Sequence, residues 1–251
     1  MSAKLAFGKG RGNSKLKRWN RMYTFALRAG HDCPFAKKCK SMVVVGNDGR
    51  ASIRDGKDIE FRCLGASSEV RSKNLRLQSA RNSELIKETG LKDRKALTTL
   101  IDRSIPEGAE IVRVHATGGD FMSLEYMQAW MDVAALYPET LFYGYTKALP
   151  YYVETRLDTP DNFRFTPSRG GRRDDLIDEH GLIEARVVFH PDEAKKLGWP
   201  IDHDDTHAMA ADHSFCLLIH GVQPKGSRAA AALAFMRKHG IKFGYSRKQE
   251  E

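Results

Sequence analysis

No apolar run in this 251-residue sequence approaches the 18 or more residues of a membrane span, which argues against a helical membrane protein. The N-terminal stretch MSAKLAFGKGRGNSKLKRW lacks the apolar core and small-residue cleavage site of a secretory signal. A cytoplasmic location is therefore expected, with no membrane partner. Cysteine is scarce, four residues in all. In a reducing compartment such cysteines read as thiols or metal ligands rather than disulfides. No GxGxxG follows an early strand and no GxxxxGK(S/T) occurs, which argues against a Rossmann dinucleotide site and a P-loop ATPase. Fixed-period repeats and low-complexity tracts are also missing.

What is present is an ordinary globular composition with an uneven charge. The hydrophobic fraction of 41% and the length suit one large core or two small ones. Lys and Arg number 41 against 32 Asp and Glu, a formal net charge of +9. Residues 1–40 hold eleven of those cations and a single acid, Asp32. A basic arm interleaved with Trp19, Tyr23 and Phe25 suits a phosphate backbone with rings to stack on bases, so nucleic acid is the expected partner, DNA first. A solvated basic tail is the plainer alternative.

From about residue 95 the patterning becomes regular. Strand-like segments EIVRVH (110–115), LFYGYT (141–146), NFRFTP (162–167), ARVVFH (185–190), SFCLLIHG (214–221) and IKFGY (241–245) alternate with helix-like ones. RKALTTLIDRSI (94–105) forms a helix leading into the series. Ser123 stands where a helix N-cap belongs and Gly240 where a helix stops. Such alternation implies parallel βαβ units. With a length near that of a (β/α)8 TIM-like barrel, regular or irregular, that fold is expected over residues 66–251. Residues 1–65 lack the repeat and read as an appended basic, cysteine-containing lobe. It includes a hairpin at VVVGNDGRASI turning at Asn47-Asp48-Gly49. Residues 66–93 read as polar helix, with Arg71, Lys73, Arg76 and Arg81 available to phosphates.

A barrel of this kind carries its chemistry where strands end and βα loops begin. Residues able to do chemistry collect there: His115 and Asp120, then Tyr145 and Lys147, then Ser168, Arg169 and Arg172, then His190, then His220, Gln223 and Lys225. Within RVHATGGDFMS, Gly118 and Gly119 would let a planar substrate approach the backbone, beside Phe121. Asp120 could then serve as nucleophile or general base, tuned by His115 or Lys147. A helix-capping role for Asp120 is the structural alternative. TPSRGGRRDD resembles a phosphate cradle, with a turn whose arginines pair with Asp174 and Asp175 as its alternative. HGVQPKGS places Lys225 at a helix start, where anions bind.

Two groups could bind metal. Cys33, Cys39 and Cys63 match neither the CxxC of zinc ribbons nor the CxxxCxxC of the usual radical S-adenosylmethionine enzymes. Three thiols in one lobe could still hold zinc or an iron–sulfur cluster, with a fourth ligand from elsewhere, or could simply be buried. Cys216, mid-strand, reads as core. IDHDDTHAMAADH could place Asp202, His203, Asp204, Asp205, His207 and His213 around a divalent ion, or be a polar loop.

The blocks RVHATGGDFMSLEYMQAW, FYGYTKALPYY, SRGGRRDDLIDEHGL, IDHDDTHA and LLIHGVQPKGS resemble the "gene product 88"-like family of phages, particularly phages of marine bacteria. The likeness covers most of the chain and implies a phage origin and an infected bacterial host. The GGDF segment is also similar, more weakly, to the Ser-Gly-Gly-Phe loop of tRNA-guanine transglycosylases and their DNA-modifying relatives. That likeness implies exchange of guanine for a 7-deazaguanine through a carboxylate, Asp120, with a zinc site supplied by Cys33, Cys39 and Cys63. A metal-dependent nuclease, an iron–sulfur or radical enzyme, and a non-catalytic nucleic-acid-binding protein are the other expectations.

Overall fold

In the computed structural model, which describes residues 3–10, 16 and 19–241, strands and helices alternate from residue 94 onward. The strands are β1 (Gly8–Lys9), β2 (Met22–Thr24), β3 (Ser41–Val45), β4 (Ala51–Asp55), β5 (Ile111–Arg113), β6 (Leu141–Thr146), β7 (Phe163–Pro167), β8 (Ala185–Val188) and β9 (Phe215–Leu218). The helices are α1 (Leu64–Arg71), α2 (Lys73–Thr89), α3 (Arg94–Asp102), α4 (Leu124–Leu136) and α5 (Leu149–Thr155). α6 (Asp175–Glu179), α7 (Pro191–Leu197), α8 (Thr206–Ala210) and α9 (Arg228–Lys238) complete the set. The strand expected at 241–245 lies, beyond residue 241, outside the described residues. No described helix is long and apolar enough to cross a membrane.

Local chemistry sets the boundaries. Ser123 caps α4 by accepting the Tyr126 N–H at 3.1 Å, and Gly198 ends α7 in the left-handed region at φ 70°. The expected hairpin is β3 and β4, antiparallel from Ser41↔Asp55 to Val45↔Ala51, with Gly49 at φ 75° in its turn.

The central sheet has the order β1-β2-β5-β6-β7. Only the β1–β2 pair is antiparallel; β2–β5, β5–β6 and β6–β7 run parallel. β8 and β9 form a second parallel pair, and a parallel bridge between Ser168 and Ala185 joins the end of β7 to the start of β8. The protein is thus a mixed α/β fold with a mostly parallel central sheet. Closure into an eight-stranded barrel is not shown by these pairings. β2 lies inside the sheet, so part of residues 1–65 is built into it. Three residues are too few to display an alternation, which is why this strand carries no sequence signal.

Because successive side chains on a strand face opposite ways, each strand feeds two cores. Val112, Val114, Phe142, Phe163 and Phe165 pack outward with Leu97, Ile101, Tyr126 and the fully buried Trp130 of α3 and α4. Ile111 and Tyr143 face the other way, with Met22, Ala185, Ala208 and Phe215. Cys216 is buried in the core that β8 and β9 share with α7 and α9, as its mid-strand position suggests. The inner face is apolar at the amino ends of the strands and opens into a cavity at their carboxyl ends.

Candidate functional site

That cavity, about 210 Å³, brings together the three N-terminal thiols and the ends of four strands. Cys33, Cys39 and Cys63 line one wall with Phe61 and Gly65. Arg113, Tyr145, Val187 and Leu217 supply the floor from β5, β6, β8 and β9. His115, Gly118, Gly119, Asp120, Lys147, Ser168 and His220, all expected from the sequence, line the remainder.

The thiols sit in an organised setting. The Gly30 N–H donates to Cys33 Sγ at 3.3 Å, and Cys63, the N-cap of α1, accepts the Gly65 N–H at 3.3 Å. Burial pushes the Cys33 thiol well above its ordinary pKa, and the neighbouring Cys63, Asp120 and Cys39 add to the rise. Burial likewise raises Cys63 to about 11, with Cys39 contributing and the helix amides and Lys147 opposing. Burial keeps Cys33 and Cys63 protonated when nothing cationic is bound, and a metal would displace their protons. Among the described residues, no three His, Cys, Asp or Glu side chains gather closely enough to hold a metal ion.

Glycine lets these loops meet. A Cβ on Gly65 would fall on the Thr117 carbonyl, and one on Gly118 would lie 2.7 Å from Leu27 O and 2.9 Å from Ala29 N. Gly119, at φ +84°, is pressed against the Leu27 side chain. The paired glycines therefore bring the β5 loop against the loop that ends in Cys33, and the space beside them is taken by protein.

Asp120 joins the same loops. It is 5% exposed, and its Oδ1 accepts the Phe121 N–H at 2.8 Å and the Thr146 hydroxyl at 2.7 Å. Oδ2 accepts the Lys147 N–H at 2.8 Å, while the Asp120 N–H donates to Asp32 O at 2.8 Å. Burial raises its pKa despite those donors. His115, at φ 54°, shares a hydrogen bond with the Tyr126 hydroxyl at 3.1 Å. Burial lowers its pKa to about 3, so it is neutral at physiological pH. The Lys147 ammonium donates to Ser168 Oγ at 2.6 Å and to the Ser168 and Arg169 carbonyls. Phe121 is fully buried among His115, Tyr126 and Phe165 and belongs to the core.

The expected phosphate cradle at Gly170 and Gly171 is filled by the protein's own acid. The Gly170 and Gly171 N–H groups point at Asp174 at 2.9 and 2.8 Å. Arg169 pairs with Glu184 and Asp178, Arg173 with Asp175, and the Arg172 N–H donates to Phe35 O. Gln223 ties the β9 loop to the thiol wall by accepting the Arg62 N–H at 2.7 Å, and Lys225 is exposed outside the cavity. Arg71 and Arg76 donate to the Ser67 and Glu69 carbonyls, while Lys73 and Arg81 are exposed on α2. His190 caps α7. In the acidic loop, Asp202 accepts the Asp204 and Ala208 N–H groups, and His207 packs on His213 and Phe215. Of the basic arm, Arg11, Lys15, Lys17 and Arg18 lie outside the described residues.

Sequence reasoning passed over Arg113 and Glu69, weighed Asp205 only as a metal ligand and saw Asp32 only as the one acid of the basic arm. A charged residue inside IVRV was a signal for the first. The others come from loops and a helix, where no periodicity marks a buried acid.

A family model described as Gene product 88 matches residues 3–238. No curated protein and no solved structure matches the chain, so the likeness to guanine transglycosylases finds no support.

Proposed function

The chain belongs to the Gene product 88 family, and from that premise we propose that it is an iron–sulfur enzyme acting on a small molecule. The observation that carries this reading is the convergence of Cys33, Cys39 and Cys63 on one cavity at the carboxyl ends of parallel strands. A single zinc ion draws its ligands into one tight tetrahedron, whereas a cubane cluster spreads its thiolates over separate corners. Three thiols lining one wall of a cavity suit a cluster that faces that cavity. Donors to Cys33 and Cys63 and the nearby Lys147 charge favour thiolates once protons are displaced.

Held by Cys33, Cys39 and Cys63, a cluster would supply one-electron chemistry to a molecule in the cavity. The chain's own residues position and seal: Asp120 locks the Cys33 loop to β6, Lys147 locks β6 to β7, and Gln223 locks β9 to the thiol wall. The parallel run β2-β5-β6-β7 supports reading the sheet as part of a βα barrel that opens at this cavity. Base exchange through Asp120 has less support, because both its carboxylate oxygens are occupied and it is 5% exposed.

Anaerobic reconstitution with iron and sulfide tests the reading. Wild type is expected to become brown and to give an EPR signal after reduction. Cys33→Ser, Cys39→Ser and Cys63→Ser should lose both, and Cys216→Ser should keep them. Equal behaviour of all four variants would remove the assignment. Incubating the reduced protein with S-adenosylmethionine and looking for 5′-deoxyadenosine then separates a radical enzyme from a simple redox site.

A further inference from the structure

The cavity has a second pole. Arg113 lies on its floor, flanked in sequence by Val112 and Val114 and only 9% exposed. Its Nε faces Asp205 Oδ2 at 3.2 Å. Asp205 is fully buried and sits in the left-handed region at φ 65°. It is held by the Tyr143 hydroxyl at 2.9 Å and the Tyr145 hydroxyl at 3.2 Å. The guanidinium also lies 6.0 and 5.6 Å from those two ring centroids. A buried ion pair is rarely retained for stability alone, since apolar residues of similar volume do as well. Here one acid, two phenols and a strained backbone fix a single guanidinium against a cavity wall.

We propose that Arg113 is the anion-recognition residue of this cavity, and that the small molecule it takes carries an oxyanion, a carboxylate or a phosphate. The proposal rests on reading the cavity as an enzyme's substrate site. A guanidinium offers a planar fork matched to either group, and its charge does not depend on pH. Lys147 adds positive potential without competing for the ligand, its ammonium being spent on Ser168 and Arg169. Among the described residues Asp120 is the one acid lining the cavity, and its carboxylate is already engaged by three donors. An anion docked on the floor leaves the rest of the molecule directed at the thiol wall. Binding energy from the non-reacting end then positions the reacting end.

The test uses the full chain with and without its cluster, at constant ionic strength set with chloride. Inorganic phosphate and succinate serve as probes, and thermal stability is followed against their concentration. Wild type should show saturable stabilisation by at least one probe, and which one names the oxyanion. Arg113→Gln should need about tenfold or more of that probe, the loss of one charge-assisted contact. If Arg113→Gln fails to fold, Arg113→Lys, which keeps the charge but not the fork, should show the weakened response. No stabilisation beyond chloride, or an equal response in the variants, overturns the proposal. Anion binding through Arg113 in a chain that takes up no cluster would sustain this inference while removing the cluster reading. A cluster without an anion response would do the reverse.

Discussion

Asp120 shows how one carboxylate serves a site without reacting in it. Its two oxygens accept three donors from two loops, and its N–H reaches a third loop at Asp32. The Asp32 carboxylate, which burial alone would raise, is held below its ordinary pKa by Lys87 and Ser83. The loop carrying Cys33 is therefore fixed from both sides. Asp120→Ala is expected to destabilise the protein by about 3 kcal/mol, because buried donors lose their acceptor. Urea denaturation measures this, and a change below about 0.5 kcal/mol would show the carboxylate idle in the fold. The residue was legible in ATGGDF as a carboxylate at a strand end. Its partners were not, since Thr146 and Lys147 reach it only through the parallel register of β5 and β6.

Among the elements, α1 and the loop after β2 are coupled through Glu69, which is 1% exposed and accepts the Ala29 N–H at 2.8 Å. Burial raises its carboxyl to about 7. The sign follows from the two states. Below the unfolded value, near 4.5, the group is neutral in both and costs nothing. As pH rises toward 7 the unfolded chain ionises first, so stability falls by on the order of 3 kcal/mol and then levels. Glu69→Gln keeps an acceptor for Ala29 and removes the charge. It should melt higher than wild type at pH 8 and no higher at pH 4. Equal melting temperatures at both would show Glu69 ordinary. Elements with strong local signals, such as α4 behind Ser123 and the β3–β4 hairpin, were readable from sequence. β2 and α8 were not, because they are too short for periodicity and owe their form to tertiary pairing.

For the molecule as a whole, the cavity depends on the N-terminal residues twice, through β2 in the sheet and the three thiols in the wall. A fragment of residues 66–251 leaves the β5 edge unpaired and is expected to aggregate or to lose cooperative unfolding. A soluble fragment with a sharp melt would instead define an independent domain. The chemistry legible in the sequence was the collection of polar residues at strand ends. The fold commits Asp120, Lys147 and Arg169 of that set to structure, and brings to the cavity the thiols and Arg113, which lay outside it. The central claim is the cluster, and its most direct measurement is iron and acid-labile sulfide per chain in anaerobically purified protein. The account predicts about four of each, lost in Cys63→Ser. Colourless protein without iron, or with about one zinc per chain, would contradict it.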